Sequence, residues 1–177
     1  MSMKIISTKI KGLKIIYSDI YQDKRGFFKE DFKQSFFKKK FVFGCTSRSK
    51  KNVLRGMHLQ IKKAQGKYVS VIKGEILDVV VDLRKNSKTF KKQFIIKLSE
   101  KNSKSIFVPP GFAHGFYTLS KENYVVYSCT SYRSAKHEIS LNWKDEDLNI
   151  AWPCKKPIIS KKDNEGITLK KLLHLLK

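Results

Sequence analysis

Residues 67–83 contain two runs of mostly β-branched and apolar side chains, 68–72 and 76–83, hinged at Lys73-Gly74-Glu75. This pattern predicts two strands joined as a hairpin. Along the second run Ile76, Asp78, Val80 and Asp82 point one way, and Leu77, Val79, Val81 and Leu83 point the other. Two carboxylates on an otherwise apolar face imply that this face lines a polar cavity. Further strands are expected at 94–98, 105–108, 115–119 and 124–132, each bounded by Lys, Ser, Asn or Gly. Helices are expected only at 31–39 and at 167–176, where Ile167, Leu169, Leu172, Leu173 and Leu176 form one apolar face. Short strands at even spacing with few helices give an all-β sandwich or barrel.

At 177 residues with 41% hydrophobic and 12% aromatic content, the chain fits one domain spanning residues 1–177 and can build a core. Its apolar runs fall far short of the ~20 residues that cross a bilayer, and Met-Ser-Met-Lys-Ile-Ile at the start is not a secretory signal. A cytoplasmic protein without a membrane partner is expected. The net charge of +23 suggests polyanion binding. However, only positions 25, 48, 55, 84 and 133 are arginine, and the 33 lysines run from Lys4 to Lys177 without a block. That distribution describes a solvated lysine surface, and no nucleic-acid motif accompanies it. Cys45, Cys129 and Cys154 form neither a disulfide framework nor a metal-type pair and are read as idle thiols.

Two histidines stand in informative contexts, His58 in Val53-Leu-Arg-Gly-Met-His-Leu-Gln60 and His114 in Pro110-Gly-Phe-Ala-His-Gly-Phe116. His137 and His174 do not. The second stretch resembles half of the cupin signature, a jelly-roll barrel that often binds metal. The other half, a His-x-His pair with a Glu, is missing: Gln60 follows His58 at i+2, with Arg55 and Lys67 nearby. No metal is expected.

The resemblance becomes specific with Arg25-Gly-Phe-Phe-x-Glu30, Ser47-Arg-Ser49, Arg55-Gly-Met-His58, Gln65-Gly-Lys67, Gly74-Glu-x-x-Asp-Val-x-Val-Asp-Leu-Arg84, Pro110 to Phe116, Tyr127, Trp152-Pro153 and Ser160-Lys-Lys-Asp163, all in one order. From about residue 3 to 173 the chain resembles the dTDP-4-dehydrorhamnose 3,5-epimerase family. The resemblance implies a cupin-type jelly roll, a homodimer, and a nucleoside-diphosphate 4-keto-6-deoxy sugar as substrate for surface polysaccharide synthesis, with no cofactor. It further implies His58 as general base oriented by Asp163, Tyr127 as acid on the opposite sugar face, and Lys67 as the cation steadying the enolate. Arg55 and Arg25 become phosphate and sugar anchors. Phe28 and Glu30 fall in a nucleotide-facing segment that in the family often crosses the dimer. His114 and Asp78 become polar lining, and Ser47, Tyr132 and Arg133 complete the substrate-binding set.

The chemistry calls for these residue types. A 4-keto group acidifies C3–H and C5–H; a base near neutrality removes the proton and an acid returns one from the other face. The oxyanion formed between these steps needs a fixed positive charge. At three places the chain departs from the family pattern: Phe43 and Cys45 stand where a Gln-x-Asn pair is common, and Arg133 where a second tyrosine often follows. Arg133 suits the acceptor-rich edge of guanine, so a GDP-linked 4-keto-6-deoxyheptose is an alternative substrate. A 3,4-ketoisomerase and a non-catalytic nucleotide-sugar-binding cupin are the alternative functions.

Overall fold

In the computed structural model, which describes residues 3–176, the β-branched runs become strands packed in two sheets. In chain order these are β1 (Met3–Ser7), β2 (Lys14–Ser18), β3 (Ile20–Asp23), β4 (Gly26–Lys29), β5 (Phe43–Lys50), β6 (Val53–Gln60) and β7 (Lys67–Lys73). There follow β8 (Glu75–Asp82), β9 (Gln93–Ser99), β10 (Lys104–Val108), β11 (Phe112–Thr118), β12 (Glu122–Cys129), β13 (Glu138–Ser140) and β14 (Ile158–Ile159). Two short helices close the chain, α1 (Lys161–Asn164) and α2 (Leu169–Leu175).

The first sheet runs β1-β2-β10-β7-β12-β5, and the second runs β13-β6-β11-β8-β9 with β14 added in parallel beside β6. β3 and β4 form a separate hairpin. Between the sheets lies a core to which both contribute, including Val69, Val71, Ile106 and Val125 from the first and Ile76, Val80, Leu98 and Phe116 from the second. This is the jelly-roll sandwich expected from the sequence.

β8 explains the mixed pattern of its residues. Ile76 and Val80 face the core between the sheets, whereas Val79, Val81 and Leu83 pack under Leu169 and Leu172 of α2. Both faces are therefore buried, and Asp78 and Asp82 are fully enclosed. The two carboxylates do different work. Asp82 accepts from Arg84, Ser87 and Thr89 and fixes the turn after β8, while Asp78 turns to the cavity wall.

Three sequence expectations are corrected. β7 and β8 are not a hairpin: β7 pairs with β10 and β12, β8 with β9 and β11. Gly74 turns the chain from one sheet to the other, at φ +83° and against Glu122 and Asn123, where a Cβ has no space. The helix at 31–39 reduces to one 3-10 turn, Gln34–Phe36. Phe32, Phe37 and Phe41 pack instead around Tyr68 and Phe107, and the Gln34 amide binds the Phe37 and Lys39 carbonyls and the Phe41 N–H. A ring cluster and a side-chain clamp thus displace the helical hydrogen bonds. The strand at 124–132 ends at Cys129, beyond which the Thr130 and Ser131 hydroxyls bond the 63–66 backbone. The expected C-terminal helix forms as α2, N-capped by Thr168, whose hydroxyl accepts the Lys171 N–H.

Candidate active site

β6 builds the first wall of the site through an irregularity. His58 lies opposite His114 on β11, and Arg55 lies opposite Phe116, so three residues on β6 span two on β11. The extra residue reverses the alternation of side chains and brings Arg55 and His58, three apart, into one cavity. Gly56 makes this possible: its φ is +122°, and a Cβ there would lie 2.6 Å from Gly115 Cα. The Arg-Gly-x-His motif is thus a bulge with a backbone-to-backbone contact. From the other sheet, Tyr127 on β12 pairs with Cys45 on β5, and Lys67 on β7 pairs with Cys129. Phe43, Cys45 and Ser47 alternate toward the same side, and the enclosed space is about 260 Å³.

The two histidines each hold a carboxylate through Nε2. His58 donates to Asp163 Oδ1 at 2.6 Å, and His114 to Asp78 Oδ2 at 2.8 Å. Asp163 is buried, and its Oδ2 accepts the Gly56 N–H at 3.1 Å. The Ser140 hydroxyl donates to Oδ1, and Ser160 caps α1 by accepting the Asp163 N–H. Burial opposes ionisation of Asp163, but the bonds from His58, Gly56 and Ser140 outweigh it and hold the carboxyl below its usual range. Asp78 sits behind His114, its Oδ1 without a hydrogen-bond partner.

The remaining titratable groups are set by burial. Desolvation lowers the Lys67 ammonium and raises the Tyr127 hydroxyl well above its ordinary value. The Tyr127 hydroxyl lies 3.5 Å from Ser47 Oγ. Burial also raises the thiols of Cys45 and Cys129, the latter to about 11. Glu138 on β13 is half-buried in the cavity wall; burial raises it, yet bonds from Arg133 and Lys162 bring it down to about 2.

Of the residues singled out from the sequence, His58, Lys67, Tyr127, Asp163, Ser47, Arg55, His114 and Arg133 line this one cavity. Asp78 joins them through His114. Arg25, Phe28 and Glu30 do not: they ride on and just after the β3–β4 hairpin, where Arg25 pairs with Asp23 and Phe28 is 55% exposed. Tyr132 is 68% exposed outside the cavity, its ring 6.2 Å from that of Phe43. Gln65, Cys129 and Glu138 line the cavity without having been assigned a role. Gln65 stood in a quoted motif, but nothing in the spacing of Ala135-Lys-His-Glu138 marks Glu138.

The arrangement suits proton transfer. An oriented imidazole on one sheet faces a protonated phenol on the other, with a buried cation beside them. Among the described residues no group of three His, Cys, Asp or Glu side chains is placed to hold a metal ion, and no helix is long and apolar enough to cross a membrane.

A family model described as dTDP-4-dehydrorhamnose 3,5-epimerase matches residues 7–171. A protein of that name from Methanothermobacter thermautotrophicus is 43% identical over 168 residues, covering 90% of this chain and 91% of the relative. The crystal structure of a Legionella pneumophila dTDP-6-deoxy-D-glucose-3,5-epimerase in complex with dTDP-4-keto-L-rhamnose superposes with a TM-score of 0.94 at 41% identity, covering 99% and 97% of the two chains. A Bacillus anthracis dTDP-4-dehydrorhamnose 3,5-epimerase with TDP and PPi bound gives 0.91 at 39% identity, covering 95% and 100%.

Proposed function

The chain belongs to the dTDP-4-dehydrorhamnose 3,5-epimerase family, and from the geometry of its cavity we propose that it is an isomerase inverting C3 and C5 of a dTDP-linked 4-keto-6-deoxy sugar. One observation carries the reading: His58 and Tyr127 enter the cavity from opposite sheets. Inversion requires a proton to leave one face of a ring and another to arrive on the other face, and a sugar held between these two side chains meets that requirement.

In each half-reaction His58 takes the C–H proton at the nitrogen left free by Asp163, and the electron pair moves through the enolate onto the C4 oxygen. Lys67 stabilises that oxygen. Tyr127 then gives a proton to the opposite face as the carbonyl re-forms, and its raised proton affinity returns it to the neutral phenol. Asp163 holds the imidazole and stabilises its protonated form.

The diphosphate falls to Arg55, whose guanidinium is steadied by Ser49 and the Arg48 carbonyl. The Arg133 fork is engaged by Glu138 at 2.8 and 3.3 Å, which draws it away from a guanine edge and favours the dTDP-linked sugar. The β3–β4 hairpin carries Arg25 and Phe28 outward, and β5 is the last strand of its sheet. Both features support a homodimer in which each hairpin reaches the partner's cavity. The work of such an enzyme is cytoplasmic supply of a deoxysugar for surface polysaccharide.

Turnover in deuterated water tests the reading. Deuterium at C3 and C5 of the dTDP-linked 4-keto-6-deoxyglucose is expected, with dTDP binding more tightly than GDP in competition. Migration of the ketone to C3 points to a ketoisomerase, and binding without exchange to a non-catalytic module; either result overturns the proposal.

A further inference from the structure

We propose that Glu138 is a positioning residue that keeps Lys67 cationic inside the cavity, through a carboxylate fixed in place by Arg133 and Lys162. The proposal rests on the epimerase reading above, in which the Lys67 ammonium steadies the oxyanion.

The geometry begins with β13, an edge strand in which Glu138 pairs with Gln60 and Ser140 with His58. Glu138 lines the cavity with its side chain only 14% exposed. Lys67 opens β7 of the other sheet and lines the same cavity, so ammonium and carboxylate enter it from opposite walls. Two cations hold the carboxylate. Arg133 bonds it from the chain segment after β12, and Lys162 bonds it from α1, the helix that also bears Asp163.

Lys67 needs such a partner, because burial is the largest influence on it and favours the neutral amine. The groups that oppose this are Cys129, Glu138, Cys45 and Asp78. Both thiols are raised by burial and stay uncharged near neutrality. Asp78 is committed to His114 at 2.8 Å. Arg55 and Arg133, in the same wall, add positive charge, and His58 gains one whenever it accepts a proton. Among the carboxylates facing Lys67, Glu138 is the one held ionised without a histidine to share it.

The test compares the full-length parent with Glu138→Gln, following C3 and C5 solvent-deuterium exchange of the dTDP-linked 4-keto-6-deoxyglucose across pH. The variant is expected to lose roughly tenfold in kcat with KM within about threefold, and the alkaline limb of kcat is expected to move toward lower pH by roughly half a unit to one unit. Lys162→Gln removes the outer ion pair but keeps the carboxylate, so its alkaline limb stays with the parent's. An unmoved limb in folded Glu138→Gln overturns the proposal. If that variant does not fold, Glu138→Asp decides the question: its withdrawn charge shifts the limb the same way by less, and no shift overturns the proposal. The pH dependence of Lys67 acylation, read by mass spectrometry on ligand-free protein, must shift with the limb. A parent that never exchanges deuterium sinks the epimerase reading, while the acylation profile still reports on Glu138.

Discussion

His58 Nε2 and Asp163 Oδ1 lie 2.6 Å apart although 105 residues of chain separate them. The contact is held from the Asp163 side. Its carboxylate receives the Gly56 N–H and the Ser140 hydroxyl, and its own N–H is bound by Ser160. A carboxylate anchored in this way fixes which imidazole nitrogen faces the substrate.

His58→Asn should fold and bind dTDP but lose exchange at both carbons. General-base contributions run about 10²–10⁴-fold, so exchange is expected to fall by at least the lower figure. Exchange near the parent rate would assign the base elsewhere.

Tyr127→Phe separates proton removal from proton return. With His58 intact, deuterium still enters C3 or C5, but from the face it left. Proton NMR of recovered substrate should show deuterium accumulating faster than inverted product. Loss of exchange and inversion in equal measure would mean that Tyr127 does not act on the second face.

Acid should weaken the fold through carboxyls whose ionised form is favoured in the native state. Glu138 is brought from 4.5 to about 2, and Asp163 and Asp82 are lowered from 3.8. Their stabilisation is fully present above about pH 4.5 and disappears as the pH falls through the depressed folded values. Glu138 alone accounts for on the order of 3 kcal/mol. Urea midpoints measured from pH 6 to 2 should fall more steeply for the parent than for Glu138→Gln; parallel curves would contradict this.

Gly56→Ala should damage both fold and site. The new methyl would meet Gly115 Cα at 2.6 Å and the His114 carbonyl at 2.9 Å, at a φ of +122°. A cost of about 3 kcal/mol is expected, visible as a lowered thermal midpoint. Exchange activity should fall with it, because the Gly56 N–H is one of the Asp163 ligands.

Dialysis against a strong chelator should leave exchange unchanged, since His58 and His114 each spend Nε2 on a carboxylate. Loss that one divalent ion restores would require a ligand set outside these residues.

The sequence made the chemistry more legible than the topology. The alternation of β8 placed Asp78 on a face shared with Ile76 and Val80, and that face is the one turned between the sheets. Yet the same run, joined to β7 through one glycine, read as a hairpin, because local spacing cannot say which sheet a strand enters. The short apolar stretches before residue 50 carried no comparable signal; β1 and β2 are fixed by pairing with each other and with β10. The motifs located His58, Lys67, Tyr127 and Asp163, whereas Glu138 owes its place to cations supplied from two other segments. The hairpin bearing Arg25, Phe28 and Glu30 shows the opposite limit: motif order says nothing of which cavity a residue serves.

The strand order also sets a timetable for synthesis. β2 must wait for β10, and β5 for β12, before the first sheet can close, and His58 waits a further stretch for Asp163. At roughly 5–20 residues per second, the 105 residues between base and carboxylate take about 5–20 s to emerge. Through that interval β5, β6 and β7 stand on the ribosome without their neighbours, and the proton-transfer machinery is among the last things the nascent chain acquires.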